Sequence, residues 1–450
     1  MPGFICAARS TAIIISLSGE RRSGRQDEDD RNHAVGQAEM SMNAQTLRHV
    51  FQSVPFRHLF FARTLTVLGN SVAPVALAFA VLDMGGSAAD LGIVVAARSL
   101  FNVLFLLFGG VLADRYPRNR VLLLSSAVAA LSQGVVAWQV LESVATTNSL
   151  ALLSAVNGAA AGVALPASSA LVPQTVPASR LRQANAFIQS GVYAGTIIGA
   201  SLGGILTSTV GAGWGLAVDA LGFALAAPLY LSVRTDVQPV GSQHTLWHDL
   251  RDGWREFTSR TWVWAVVAQF AVVNAAFTGM VMVLGPVMAD STFGRVRWGM
   301  MIAAQSVGLI VGSLIAVRWR PQRAMLIGVM LVALCVLPIL LLAGGAPAVW
   351  LMGAFGVAGM GFGQFGVVWA QALQTHIPRD RLARVYAWDA MGSFITIPLG
   401  ELAAGPLAMR FGGSAVLVTC AAAVLVATAG TCLVPSIRRL TQGEPGERHG

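Results

Sequence analysis

Twelve apolar runs, each near the ~20 residues a helix needs to cross a hydrocarbon core, follow one another between Phe56 and Val434. A soluble core has no room for them. Hydrophobic residues make up 55% of the chain and charged residues 11%, against about 25% charged in soluble domains. In lipid each backbone N–H and C=O must be satisfied within its own segment, so the runs read as helices. The sequence therefore predicts an all-α polytopic membrane protein of twelve transmembrane helices in two six-helix halves.

Hydropathy sets the boundaries. Residues 1–55 form an N-terminal cytoplasmic segment, 56–233 one half, 234–260 a cytoplasmic linker, 261–436 the second half and 437–450 a cytoplasmic tail. Residues 1–39 differ from the rest, with Arg21, Arg22 and Arg25 ahead of the acidic run from Asp27 to Asp30. Translation starting at Met40 or Met42 would omit them; otherwise they are a disordered tail. Within the linker, Leu246, Leu250, Trp254 and Phe257 share one face of an amphipathic helix suited to the membrane surface. Helix 11 is expected over about residues 385–407 as one continuous span.

Every basic residue is an arginine. Only Arg295, Arg297 and Arg410 fall on the side opposite the N-terminus, and Arg63 and Arg98 fall inside helices. By the positive-inside rule both termini are cytoplasmic in a multi-pass protein of a bacterial inner membrane. The net charge of +9 thus reports orientation, and no nucleic-acid partner is expected. Cys6, Cys335, Cys420 and Cys432 make no Cys-x-x-Cys pair, and no histidine lies in a membrane core. No phosphate-binding loop, nucleophile elbow or metal-spaced cluster appears, so the sequence predicts neither an enzyme nor a cofactor.

The two halves repeat in the letters. Val176-Pro177-Ala178-Ser179-Arg180-Leu181 returns as Ile377-Pro378-Arg379-Asp380-Arg381-Leu382. The same register pairs Gly191 with Gly392, Gly199 with Gly400, Gly204 with Gly405 and Gly211 with Gly412. A parallel repeat of this kind is a transporter architecture.

Between helices 2 and 3 the chain turns through Gly109-Gly110-Val111-Leu112-Ala113-Asp114-Arg115-Tyr116-Pro117-Arg118-Asn119-Arg120. Its pattern, carried by Gly110, Asp114, Arg115, Arg118 and Arg120, resembles the helix 2–3 loop of the major facilitator superfamily, with Pro117 where a glycine is usual. The second-half counterpart keeps Gly312, Arg318 and Arg323 but has Val317 in place of Asp114. Helix 5 carries Gly195, Gly199, Gly203 and Gly204. These resemble the superfamily's antiporter motif with Ala200 replacing a proline; read physically, they open a groove for a neighbouring helix. Phe56-Arg57-His58-Leu59-Phe60, Leu68-Gly69-Asn70 and Ala184-Asn185-Ala186 extend the resemblance to the bacterial drug:proton antiporters that include enterobactin exporters and macrolide-efflux proteins.

That resemblance implies the major facilitator fold and efflux of a hydrophobic or amphiphilic small molecule by a monomer. Alternating access and exchange for protons would drive it, with Asp114 holding an outward-open state. Importing a nutrient, or serving as a non-transporting scaffold or sensor, are the alternatives. Charges inside helices are expensive and mark pathways. Asp219, Asp389 and Glu401 are candidate proton-coupling acids, Asp389 lying one to two turns into helix 11 and the other two deeper. Arg63 and Arg98 are candidate cavity cations; Arg63 alternatively snorkels, and Arg98 alternatively pairs with Asp219 or Glu401. Asn70 stands where relatives commonly have an acid.

Overall fold

The computed structural model describes residues 51–177, 180–233, 254–319 and 321–440. The segment before residue 51, including the alternative starts, and linker residues 234–253 lie outside it. Eleven helical spans among the described residues are long and apolar enough to cross a membrane. The first six are α1 Val54–Asp83, α2 Ala88–Arg115, α3 Arg118–Leu141, α4 Thr147–Leu171, α5 Leu181–Thr209 and α6 Ala212–Ser232. The second set comprises α7 Thr261–Ser291, α8 Arg295–Arg318, α9 Ala324–Ala343, α10 Ala348–His376 and α12 Gly413–Leu433.

The twelfth span, α11, is built in two pieces, Arg379–Phe394 and Ile397–Phe411. This corrects the continuous helix expected over 385–407. Pro398 has no N–H and its ring crowds the carbonyl four residues back, and the β-branched run Ile395-Thr396-Ile397 before it holds a helix poorly. The break is stitched to α7: Asn274 Nδ2 donates to the Ser393 carbonyl at 2.8 Å, and Thr396 Oγ1 to the Ala271 carbonyl at 2.6 Å. Backbone freed inside a membrane needs such partners. In α7 itself a π-turn, Met280–Leu284, precedes Pro286, which removes a ladder donor in the same way.

Capping ends the other helices cleanly. Ser87 and Asp90 form a capping box at the start of α2, and Thr146 and Ser149 one at α4. The α2–α3 hairpin is only two residues wide, Tyr116 and Pro117, with the Tyr116 N–H bonded to the Leu112 carbonyl at 2.9 Å. Gly211 and Gly412, paired by the sequence repeat, turn α5 into α6 and α11 into α12 with φ of 98° and 86°. Only glycine adopts that conformation without strain.

Helix alternation puts residue 51, the α6–α7 linker and the end of α12 at one face, the linker face; the α1–α2 loop lies at the opposite, far face. Within each half, glycines let backbones touch. Gly158 and Gly162 of α4 meet the Arg98 and Asn102 carbonyls of α2; Gly308 and Gly312 of α8 meet the Gly356 and Met360 carbonyls of α10. Between the halves, α5 crosses α8 and α11 crosses α2. Gly204 lies against Arg295 and Val296, and its repeat mate Gly405 against Ala88 and Ala89. These crossings all fall in the far half of the bundle.

A candidate transport cavity between the halves

A cavity of about 320 Å³ opens between the two halves, on the linker side of those crossings. Leu77, Val95 and Val103 line it from the first half, and Met282, Phe394 and Ile397 from the second. The break in α11 thus faces the cavity, as does Glu401 one helical turn beyond Ile397. Its polar wall is Arg98, Ser99 and Asn102, all on α2.

Two helices of the first half and one of the second surround Arg98. Its Nη2 donates to Asn70 Oδ1 of α1 at 2.6 Å. Asp219 of α6 and Glu401 of α11 both act on its charge, although neither reaches ion-pair distance among the described residues. Asp219 is 0% exposed and accepts from Gln133 Nε2 of α3 at 2.6 Å. It approaches α1 at Gly69, where an added Cβ would lie 2.7 Å from its Oδ1. Glu401 is 2% exposed. Ser99 lines the cavity with it, and its Oε2 has no protein hydrogen-bond partner. At the same level an added Cβ on Gly92 would lie 2.7 Å from the Glu401 carbonyl, so α2 and α11 are in backbone contact at the acid. The structure therefore gathers Asn70, Arg98, Asp219 and Glu401 into one constellation. It contains one guanidinium and two carboxyls, and it spans the boundary between the halves.

Asp389 is elsewhere. Trp369 Nε1 donates to it at 2.9 Å and Ser393 Oγ at 3.4 Å, within the second half. Because α11 starts at Arg379, capped by Pro378, Asp389 lies nearly three turns in, deeper than the one to two turns expected. Arg63 also stands apart: Nη1 donates to Ser168 Oγ of α4 at 3.0 Å.

The antiporter-like glycines divide their work. Gly195, Gly199 and Gly203 receive α1, through Leu68, Ser71 and Val72 among others, while Gly204 alone meets α8 of the other half. In the α2–α3 hairpin, Arg115 and Arg120 are exposed and Arg118 half-buried. Gly110 and Asp114 belong to the last turn of α2, and the Asp114 side chain is outside the described set.

The far face carries a site that sequence reasoning missed. Arg295, the first residue of α8, grips Asp83 at the end of α1 and donates through Nε to Asp290 at 2.8 Å. Its guanidinium also lies 4.7 Å from the centre of the Phe79 ring. The signal was there to read: opposite charges isolated in a charge-poor stretch. Gln133, Ser99 and Trp369 gave no such signal, being ordinary polar residues on long helices.

Comparison with known proteins agrees with this architecture. The profile of the Major Facilitator Superfamily matches residues 59–401. The multidrug efflux pump Tap of Mycolicibacterium fortuitum is 23% identical over 398 residues, covering 86% of this chain and 97% of Tap. The enterobactin exporter EntS of Escherichia coli O1:K1 / APEC is 26% identical over 363 residues, covering 77% and 85%. Among solved structures, the nucleoside transporter NupG aligns with a TM-score of 0.64 at 15% identity, covering 84% of this chain and 98% of NupG. An inward-facing bacterial homologue of the human lysosomal transporter Spinster aligns with a TM-score of 0.64 at 17% identity, covering 86% and 97%. At such identities the two structures speak for the fold.

Proposed function

The chain belongs to the Major Facilitator Superfamily, and from that premise we propose that it exports a hydrophobic or amphiphilic small molecule in exchange for protons. The similarity to Tap and EntS supports export over import. The observation that carries the coupling is Glu401: a buried acid that lines the cavity together with Ser99 of the other half and keeps one oxygen free of protein partners.

The geometry supports alternating access. The linker face is cytoplasmic, by the arginine distribution, so this conformation is sealed toward the periplasm by the Arg295 clasp and the glycine crossings. Substrate enters from the cytoplasm or the inner leaflet and lies against the apolar wall of Met282, Phe394 and Ile397. To open outward, α11 must part from α2, which separates Glu401 from Ser99 and from the field of Arg98. A proton taken up by Glu401 from the periplasmic side lowers the cost of closing that interface again. Asp219, bonded to Gln133 and away from the cavity lining, serves as the standing counter-charge of Arg98. Asp114 and the arginines of the α2–α3 hairpin govern the opposite, cytoplasmic closure. The protein works as a monomer with both termini in the cytoplasm of a bacterial inner membrane.

The test is accumulation of amphiphilic dyes in everted membrane vesicles energised with an inside-acid gradient. Gradient-dependent uptake into everted vesicles supports export. Extrusion under that gradient, or no gradient response, overturns it. Reporter fusions after Gly241 and Gly345 check the orientation, cytoplasmic at the first and periplasmic at the second.

A further inference from the structure

A second cavity, of about 220 Å³, lies wholly within the first half, enclosed by α1, α2, α3, α4 and α6. Hydroxyls of Ser125, Ser126, Ser168 and Tyr230 line it, each side chain buried, and Arg63 is its one cation. Asn102 lines this cavity and the one between the halves. Asn70 lines it too, from the residue that holds Arg98. The two spaces therefore adjoin at α2.

The two arginines in the membrane-spanning part of this half are unlike. Arg98 has Asp219 and Glu401 to balance its charge. Arg63 has no carboxylate within ion-pair distance among the described residues. Of the five N–H donors on its guanidinium, one meets a described protein acceptor, Ser168 Oγ. The one titratable group that acts on its charge is Tyr230, a neutral phenol at ordinary pH. A guanidinium at membrane depth without a counter-ion is costly and is retained for a ligand or pathway. One guanidinium beside walls of hydroxyl donors is a lining suited to an anion.

We infer that the transported molecule is an amphiphilic organic anion whose acidic group is received by Arg63, with its apolar body against Leu77, Met282 and Phe394. The assignment rests on the transport reading above for what the bound molecule does, but its test is a binding measurement that needs no transport. Arg63 supplies a fork matched to a carboxylate. Ser168, which orients the fork, is a positioning residue.

The experiment uses the purified full chain in nanodiscs and two fluorescent probes with the same ring system, 1-pyrenebutyrate and neutral 1-pyrenebutanol. The wild type should bind the carboxylate about tenfold more tightly than the alcohol, the scale of a charge-assisted pair. Arg63→Gln should abolish that preference. Arg63→Lys, which keeps charge but not the fork, should retain part of it. Equal binding of the two probes by the wild type overturns the inference and requires no variant to fold. A preference kept in full by Arg63→Gln, or by Arg63→Lys where the glutamine variant is not stable, also overturns it. Carboxylate preference with no export in vesicles would sink the export reading and leave this assignment standing.

Discussion

Arg295 holds Asp83 across the boundary between the halves, Nη1 on Oδ2 at 2.9 Å with Nη2 on the other oxygen. The Asp83 side chain is 43% exposed, and a pair so open to solvent contributes on the order of 1 kcal/mol or less. It suits a latch that must open in every cycle. Arg295→Ala should shift the population toward the far-open state by a few-fold without loss of folded protein. Labelling of a cysteine placed at Val296, facing Gly204, would report it; unchanged labelling would remove the clasp from the mechanism.

Glu401→Gln should abolish dye movement driven by a proton gradient while sparing substrate exchange, which requires no net proton transfer. Asp219→Asn should impair both, because Arg98 then loses its balancing charge on α6 and the cavity wall rearranges. Asp389→Asn, far from the half boundary, should leave gradient-driven transport within about twofold of wild type, as expected of a residue outside the reaction path. Vesicle efflux and exchange measured side by side separate these three. Full gradient-driven transport by Glu401→Gln would move the coupling elsewhere.

Two glycines on α5 should respond oppositely to the same substitution. Overpacking a tight contact costs about 1–3 kcal/mol. At Gly204, whose added Cβ would lie 2.9 Å from the Arg295 carbonyl, that cost falls on the crossing between halves. Gly204→Val should therefore favour the far-open state about tenfold at normal expression. Gly199 packs on Leu68 of its own half, so Gly199→Val should lower thermal stability instead. Equal effects of the two on stability would show that the Gly204 contact does not separate during the cycle.

The linker helix at residues 254–259 should release at low pH. Glu256 accepts from Arg381 Nη1 at 2.7 Å and from Arg260 Nε at 3.0 Å. Those bonds, that from Arg381 foremost, hold its carboxyl below the usual range. A depressed folded value means that the stabilisation is complete above the unfolded pKa of about 4.3 and is lost as pH falls through the folded one. Amide protection factors across residues 254–260, taken relative to the intrinsic exchange rate at each pH, should be flat from pH 5 to 8 and fall in acid. Glu256→Gln should show the lower protection already at pH 7. Protection in the wild type that persists to pH 3 would contradict this.

Much of the fold was legible because lipid leaves few options: length, apolarity and arginine placement together define the spans. The glycine register was legible too, and Gly211 with Gly412 and Gly204 with Gly405 occupy matching geometry. The break in α11 was harder to see. Pro74, Pro166 and Pro228 sit inside helices that continue, so proline alone does not announce a break; the β-branched run before Pro398 does. At the candidate site, the charged members stood out in an apolar sequence, but their grouping did not. Gln133 and Asp219 are joined only by the packing of α3 on α6, which no local pattern encodes. The depth of Asp389 was misjudged because the start of α11 was placed at its first apolar residue instead of at Pro378.

Because α11 is severed at Ile395 and Thr396, its two pieces answer to different neighbours. Arg381, on the piece nearer the linker, is tied to Glu256, and Trp388 to Trp254 at 4.8 Å between rings. The other piece carries Glu401 and Gly405 and leans on α2 across the boundary. An unbroken rod would transmit any tilt at the acid straight to the linker. A jointed one lets the far segment swivel while the near segment stays anchored, so Glu401 and the linker face need not move in step.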